Sequence, residues 1–279
     1  MTASLVGQPG PLVGRTQRLV IGGTLAAIAA VSWGTLIGGL AMDPGLDARL
    51  FLVTWLAMVG AMMVPTIEPM VHTFVTLLHP YARPVRWVRT LLFVLPYLMV
   101  WGAVGLIALG IRSFALDRPI VASVLIASAG LYQLTAVKQA CLGSCRSPLG
   151  FMLQHGAAAR SMRGTLVLGA RHAGLCFGCC VGLMVAITGA GAIELSWMAA
   201  LGLLMLIEKT HPRGTTFARA SGIGLLAIAP LPLWVPLMGP IASISGLAMV
   251  VALVLGAIVL RATPGNAPSG VTTASSPSL

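Results

Sequence analysis

Charge is what this chain has least of. Lys, Arg, Asp and Glu together make up only 8% of its 279 residues, against roughly 25% in ordinary soluble domains. Acid is the scarcer sign, with six Asp and Glu against 17 Lys and Arg. So few charges cannot solvate the surface of a soluble globular protein of this length. The sequence also contains no Walker-type phosphate loop, no H-E-x-x-H and no G-x-S-x-G. The familiar signatures of nucleotide hydrolysis, zinc proteolysis and serine hydrolysis are therefore missing.

What is present is apolar. Hydrophobic residues reach 57% and there are 33 glycines, with a mean hydropathy of +0.96. That excludes intrinsic disorder. The net charge of +11 would suit a nucleic-acid partner only if the basic residues were gathered on one solvated face. They are scattered between long apolar runs, so no nucleic acid is expected. The reading that remains is an all-α polytopic membrane helix bundle in contact with the lipid bilayer.

A bilayer core takes about 20 apolar residues per helix. The apolar runs predict eight transmembrane helices, at 19–41, 50–78, 90–111, 119–138, 165–190, 193–208, 219–237 and 241–260. The second carries Pro65, Glu68, Pro69 and His72, which predicts a kink or an early end. Residues 139–164 are expected to be the longest internal loop. With the N-terminus inside, 13 of the 17 basic residues fall on the inner side. The positive-inside rule then places both termini in the cytoplasm, with the chain multi-pass in a bacterial inner (cytoplasmic) membrane. The predicted organisation is a cytoplasmic segment 1–18, a transmembrane domain 19–261 and a disordered Pro/Ser/Thr/Gly/Ala-rich tail 262–279. The first span reads as a retained anchor. Trp55, Trp87, Trp197 and Trp234 are expected at the membrane interfaces. His79, His155 and His211 are expected in solvated loops.

The five cysteines fall in two groups. Cys141 and Cys145 form C-L-G-S-C, and Cys176, Cys179 and Cys180 form C-F-G-C-C, with His172 four residues upstream. On a helix, His172, Cys176, Cys179 and Cys180 share an arc of about 100°. Thiolates and an imidazole at this spacing suit a soft or borderline metal ion, with copper foremost and zinc or iron as the other candidates. A single buried Cys is ordinarily a small hydrophobe. Two groups, one with a His one turn away, shift the reading toward metal. The cytosol keeps thiols reduced, so a structural disulfide is not expected, although C-x-x-C is also the spacing of redox dithiols.

The second span adds thioethers. Met58, Met62, Met63 and Met70 lie within 13 residues, and thioethers select Cu(I) over zinc and hard cations. Glu68 is an ionisable group within a span, hence a candidate for function. The G-x-x-x-G pairs Gly34–Gly38 and Gly178–Gly182 permit close helix contact. Glu208–Lys209 is expected to mark the cytoplasmic boundary.

Four motifs in order carry a family resemblance: W-x-x-M-x-x-A-M-M-x-P at Trp55–Pro65, C-L-x-x-C-R-x-P at Cys141–Pro148, G-L-C-x-G-C-C at Gly174–Cys180, and Trp197–Met198 with Glu208–Lys209. The chain resembles the DUF2182 family of bacterial integral membrane proteins, described as metal-binding, over residues 55–209. It departs from that pattern at Val181 and Ala192–Glu194. The resemblance implies metal ligands at Cys141, Cys145, Cys179 and Cys180, with Cys176 and His172 nearby. The expectation is a membrane protein that binds or transports a soft metal ion through a Met/Cys/His site, with a metallochaperone or another membrane subunit as partner. A membrane thiol–disulfide or electron-transfer oxidoreductase is the second expectation. A structural partner subunit is the third.

Overall fold

The computed structural model describes residues 11–38, 47–115, 119–189, 195–234, 248–256 and 258. Among them every regular element is helical: α1 (Pro11–Ile37), α2 (Ala48–Leu77), α3 (Arg83–Ala115), α4 (Pro119–Leu134), α5 (Ala136–Cys145), α6 (Pro148–His155), a 3-10 turn (Gly156–Arg160), α7 (Met162–Gly189), α8 (Leu195–Thr210), α9 (Gly214–Ile228) and α10 (Leu231–Trp234). Residues 248–256 are helical as well. The expected segment 1–18 lies largely, and the expected tail 262–279 wholly, outside the described residues. So does much of the expected span 241–260.

Among the described residues, four helical stretches are long and apolar enough to cross a membrane: Leu19–Ile37, Ala48–Leu77, Arg83–Ile111 and Met162–Thr188. A fifth arises if the bent pair Pro119–Leu134 and Ala136–Cys145 counts as one span. The expected spans 193–208 and 219–237 fall on α8 and α9, which are 16 and 15 residues long. At 1.5 Å per residue each is shorter than a hydrocarbon core of about 30 Å.

The spans differ in how far they enter the bundle. The apolar window of α2 is 67% buried, while that of α1 is 11% buried. α2 packs on α1, α3 and α8, α3 packs on α7, and α4 packs on α7 and α9. The outer face of α3 shows Leu91, Leu95, Leu98 and Leu106 to the surroundings. A stripe at i, i+4, i+7 suits contact with lipid.

Three local expectations need correction. α2 runs unbroken through Pro65 and Pro69. Each proline removes one helical N–H bond, and neighbouring hydroxyls bond locally: Thr66 donates to the Met63 carbonyl at 2.8 Å and Thr73 to the Pro69 carbonyl at 2.7 Å. Second, the expected loop 139–164 is almost wholly helical. α4 and α5 meet at a 66° bend, where Thr135 caps α5 by accepting from the Lys138 N–H, and Pro148 opens α6. Third, Trp55 is buried rather than interfacial. Its indole donates to the Trp101 carbonyl at 2.9 Å, and Gly105 leaves room for the ring, since a Cβ there would sit 2.5 Å from it.

Candidate metal centre

α7 carries the densest chemistry. Cys176, Cys179 and Cys180 follow one another at i, i+3, i+4, so a single helical face presents all three. Their sulfurs lie within 4.8 Å of one another and are buried. Cys179 Sγ is 3.4 Å from Cys180 Sγ and donates to the Cys176 carbonyl at 3.2 Å. All five cysteines are free thiols.

α5 brings the other two cysteines to α7 but parts them. The Cys145 side chain reaches the Cys179 thiol. Cys141 instead lies over Gly178, where a Cβ would be 2.6 Å from its sulfur. The expected close contact at Gly178–Gly182 is present, since both glycines sit under α4 and α5: the Tyr132 hydroxyl donates to the Gly178 carbonyl at 2.6 Å, and a Cβ at Gly182 would collide with the Tyr132 ring. Gly34, in the other pair, has nothing near its missing Cβ.

Two lysines border the triad. Lys209 Nζ donates to Cys176 Sγ at 3.3 Å and to Thr66 Oγ1 at 2.8 Å. Lys138 is fully buried; its ammonium donates to the Cys179 carbonyl and to Glu208 Oε2 at 2.7 Å. Gln133 Nε2 donates to Glu208 Oε1 at 2.8 Å and to Ser221 Oγ at 2.9 Å. Arg146 donates to the Glu208 carbonyl at 2.6 Å and to the Pro212 carbonyl at 2.9 Å. A buried charge persists only when paired and hydrogen-bonded, and Glu208 meets both conditions. Glu208 is thus paired across helices inside the bundle, with Lys209 beside it.

The methionines occupy α2. Met58, Met62, Met63 and Met70 are all buried. Met62 and Met70 stand one turn either side of Thr66, and Met63 holds its hydroxyl. Lys209 therefore links the methionine-bearing face of α2 to the thiols of α7. Met62 also packs on Gly202 of α8, whose missing side chain would come 3.1 Å from Met62 Cγ.

Other expected ligands stand apart. Glu68 is half-buried and lies about 200° round α2 from Thr66, on the face away from Lys209. His172 is buried in an aromatic stack, 5.5 Å from Phe93 and 6.4 Å from Tyr97 between ring centroids. Its two ring nitrogens have no hydrogen-bond partner among the described residues, and it is not one of the three residues whose ligand atoms cluster. His155 stacks on Phe151 at 5.1 Å, and His211 is buried and accepts from the Arg213 N–H at 3.1 Å. Neither is the solvated loop residue expected.

Lys138, Lys209, Thr66 and Gln133 were not among the expected site residues. The signal available was slight: Lys138 sits three residues before Cys141, and Lys209 belongs to the Glu208–Lys209 pair of the last motif.

Three gathered sulfurs with a fourth at their edge, and no free carboxylate beside them among the described residues, form a soft donor set. It fits Cu(I), which accepts few thiolate ligands. It does not fit calcium or magnesium, which need several oxygens. A cavity of about 590 Å³ lies between α5, α6 and α7, with Ser144, Ser147, Gln154, His155 and Arg171 on its walls.

No curated protein and no solved structure matches the chain. Residues 52–231, nearly two thirds of it, match the family PpoB2, described as copper chaperones. That match covers the methionine face, both cysteine groups and the two lysines, and by it the chain belongs to the PpoB2 copper chaperone family.

Proposed function

We propose that this protein is an integral membrane copper carrier that captures Cu(I) at Cys176, Cys179 and Cys180. The observation that carries this reading is the triad itself: three buried free thiols within 4.8 Å of one another. Thioethers bind Cu(I) weakly and thiolates bind it tightly. Met58, Met62, Met63 and Met70 then serve as the receiving relay on α2, and the ion passes down an affinity gradient to the triad. Cys145, half-buried and in reach of Cys179, is the exit thiol toward an acceptor protein. Cys141 and Glu68 lie off this route, and His172 supports the triad from one turn away.

The setting is a bacterial inner membrane, with the helices of residues 19–261 in the bilayer and both termini cytoplasmic. The inward-facing Arg and Lys set this orientation. The metal is cargo, and no catalytic step is assigned to the chain.

Detergent-purified protein loaded anaerobically with Cu(I) tests the reading. One copper per chain is expected by elemental analysis, lost in Cys179→Ser/Cys180→Ser. Equal copper in both proteins overturns it. The contact between Cys145 and Cys179 across two helices favours one other reading, a dithiol redox protein. That reading requires a Cys145–Cys179 disulfide in the isolated protein and no bound metal.

A further inference from the structure

The two lysines beside the triad are not equivalent. Lys138 is neutralised by Glu208 at 2.7 Å. Lys209 has no carboxylate partner among the described residues, and its ammonium hydrogen bonds go to Cys176 Sγ and Thr66 Oγ1. Lys209 is half-buried, an ammonium partly withdrawn from water is stabilised by a counter-charge, and the groups placed to supply one are the thiols. The Lys138–Glu208 pair contributes little net charge to the site, so Lys209 sets its electrostatic balance.

We propose that Lys209 is the specificity-determining residue of the thiol triad, restricting it to a singly charged soft cation. This rests on the copper-site reading above and deepens it. The ammonium is 3.3 Å from Cys176 Sγ, and a metal–sulfur bond is about 2.3 Å. Any cation bonded to Cys176 is therefore within roughly 6 Å of a fixed positive charge. A divalent ion suffers that repulsion twice over, a monovalent ion once. With an effective dielectric of about 20, the additional charge weakens binding on the order of a hundredfold. The sulfur ligands alone do not discriminate this way, because zinc and cobalt also take thiolates. Thr66 is the positioning residue: its hydroxyl accepts from Lys209 and donates to the Met63 carbonyl, which holds the ammonium against α7.

The test compares two probe metals on the full-length protein in detergent. Cu(I) affinity is read by competition with a chromogenic Cu(I) chelator. Co(II) affinity is read by its sulfur-to-metal charge-transfer absorption, and the quantity compared is the Cu(I)/Co(II) affinity ratio. Lys209→Gln removes the charge without adding a sulfur ligand. It is expected to lower the ratio by tenfold to a hundredfold, and Lys209→Arg, which keeps the charge, to stay within threefold of wild type. Thr66→Val is expected to shift the ratio in the same direction as Lys209→Gln by a smaller factor. A ratio within threefold of wild type in Lys209→Gln overturns the proposal while leaving the copper site standing. If Lys209→Gln does not yield a monodisperse helical protein, an unchanged ratio in Thr66→Val overturns it instead. Wild-type protein that binds neither ion through its cysteines overturns the copper-site reading and this proposal together.

Discussion

The two cysteine groups look alike in sequence and end differently. On α7, Cys176, Cys179 and Cys180 converge because i, i+3 and i+4 positions of one helix share a face wherever the helix is placed. On α5, Cys141 and Cys145 also share a face, yet they meet different neighbours on α7: Cys145 reaches Cys179, while Cys141 covers Gly178. A group whose thiols must meet one another depends only on helical geometry. A group whose thiols must meet another helix depends on where the two helices cross.

Three substitutions probe that contrast. Gly178→Ala acts on the crossing and should do the most damage. Its methyl would stand 2.6 Å from Cys141 Sγ and 3.3 Å from Cys141 Cβ, so the thiol must swing aside and α5 ease off α7, at a cost of about 1–3 kcal/mol. A drop in melting temperature in detergent is expected, together with slower copper release; an unchanged melting temperature would mean that α5 is not seated on Gly178. Cys145→Ser comes next. It leaves the triad intact and should slow transfer of bound Cu(I) to an external thiol chelator by roughly tenfold, or about 1.4 kcal/mol in the barrier; transfer at the wild-type rate removes Cys145 from the route. Cys141→Ser should do least, with copper affinity and transfer both within a factor of about two, or 0.4 kcal/mol. A larger loss would put both α5 thiols in the site and erase the difference drawn above.

The thiol triad was legible because it is a short-range pattern on one helix. So were the helical class, the methionine face of α2 and the close contact at Gly178 and Gly182. Helix length was not: hydropathy cannot tell a short helix such as α8 or α9 from one long enough to cross the bilayer, since both are apolar. The prolines of α2 misled for a related reason. Each breaks a helical bond locally, but a helix packed on three neighbours recovers that cost from its contacts. The segment 139–164 read as a loop because Ser147, Pro148 and its glycines are turn formers. In the structure Pro148 starts a helix, where its missing N–H costs nothing.

The largest gap concerned charge, the scarce commodity of this chain. In the sequence, 13 of the 17 Arg and Lys read as marks of orientation. Four of them turn inward instead: Arg89, over the Tyr81 ring at 4.0 Å and bonded to the Ala159 and Arg160 carbonyls, Arg146, Lys138 and Lys209. A basic residue near a helix end serves equally well as a topological signal or as a ligand for a carbonyl, carboxylate or thiol on a neighbouring helix. Which role it takes depends on what the neighbour presents.

By itself, then, the sequence determined what a single helix can determine: which segments are helical and apolar, and which three thiols face the same way, because backbone periodicity is local. Tertiary structure alone decided the rest. It set Cys145 against Cys179 and Cys141 against Gly178, sent His172 into an aromatic stack, cancelled Lys138 with Glu208 and left Lys209 on the sulfur. Those outcomes hang on helices distant in sequence crossing within a few ångströms, and no residue pattern along one helix encodes where its neighbour will lie.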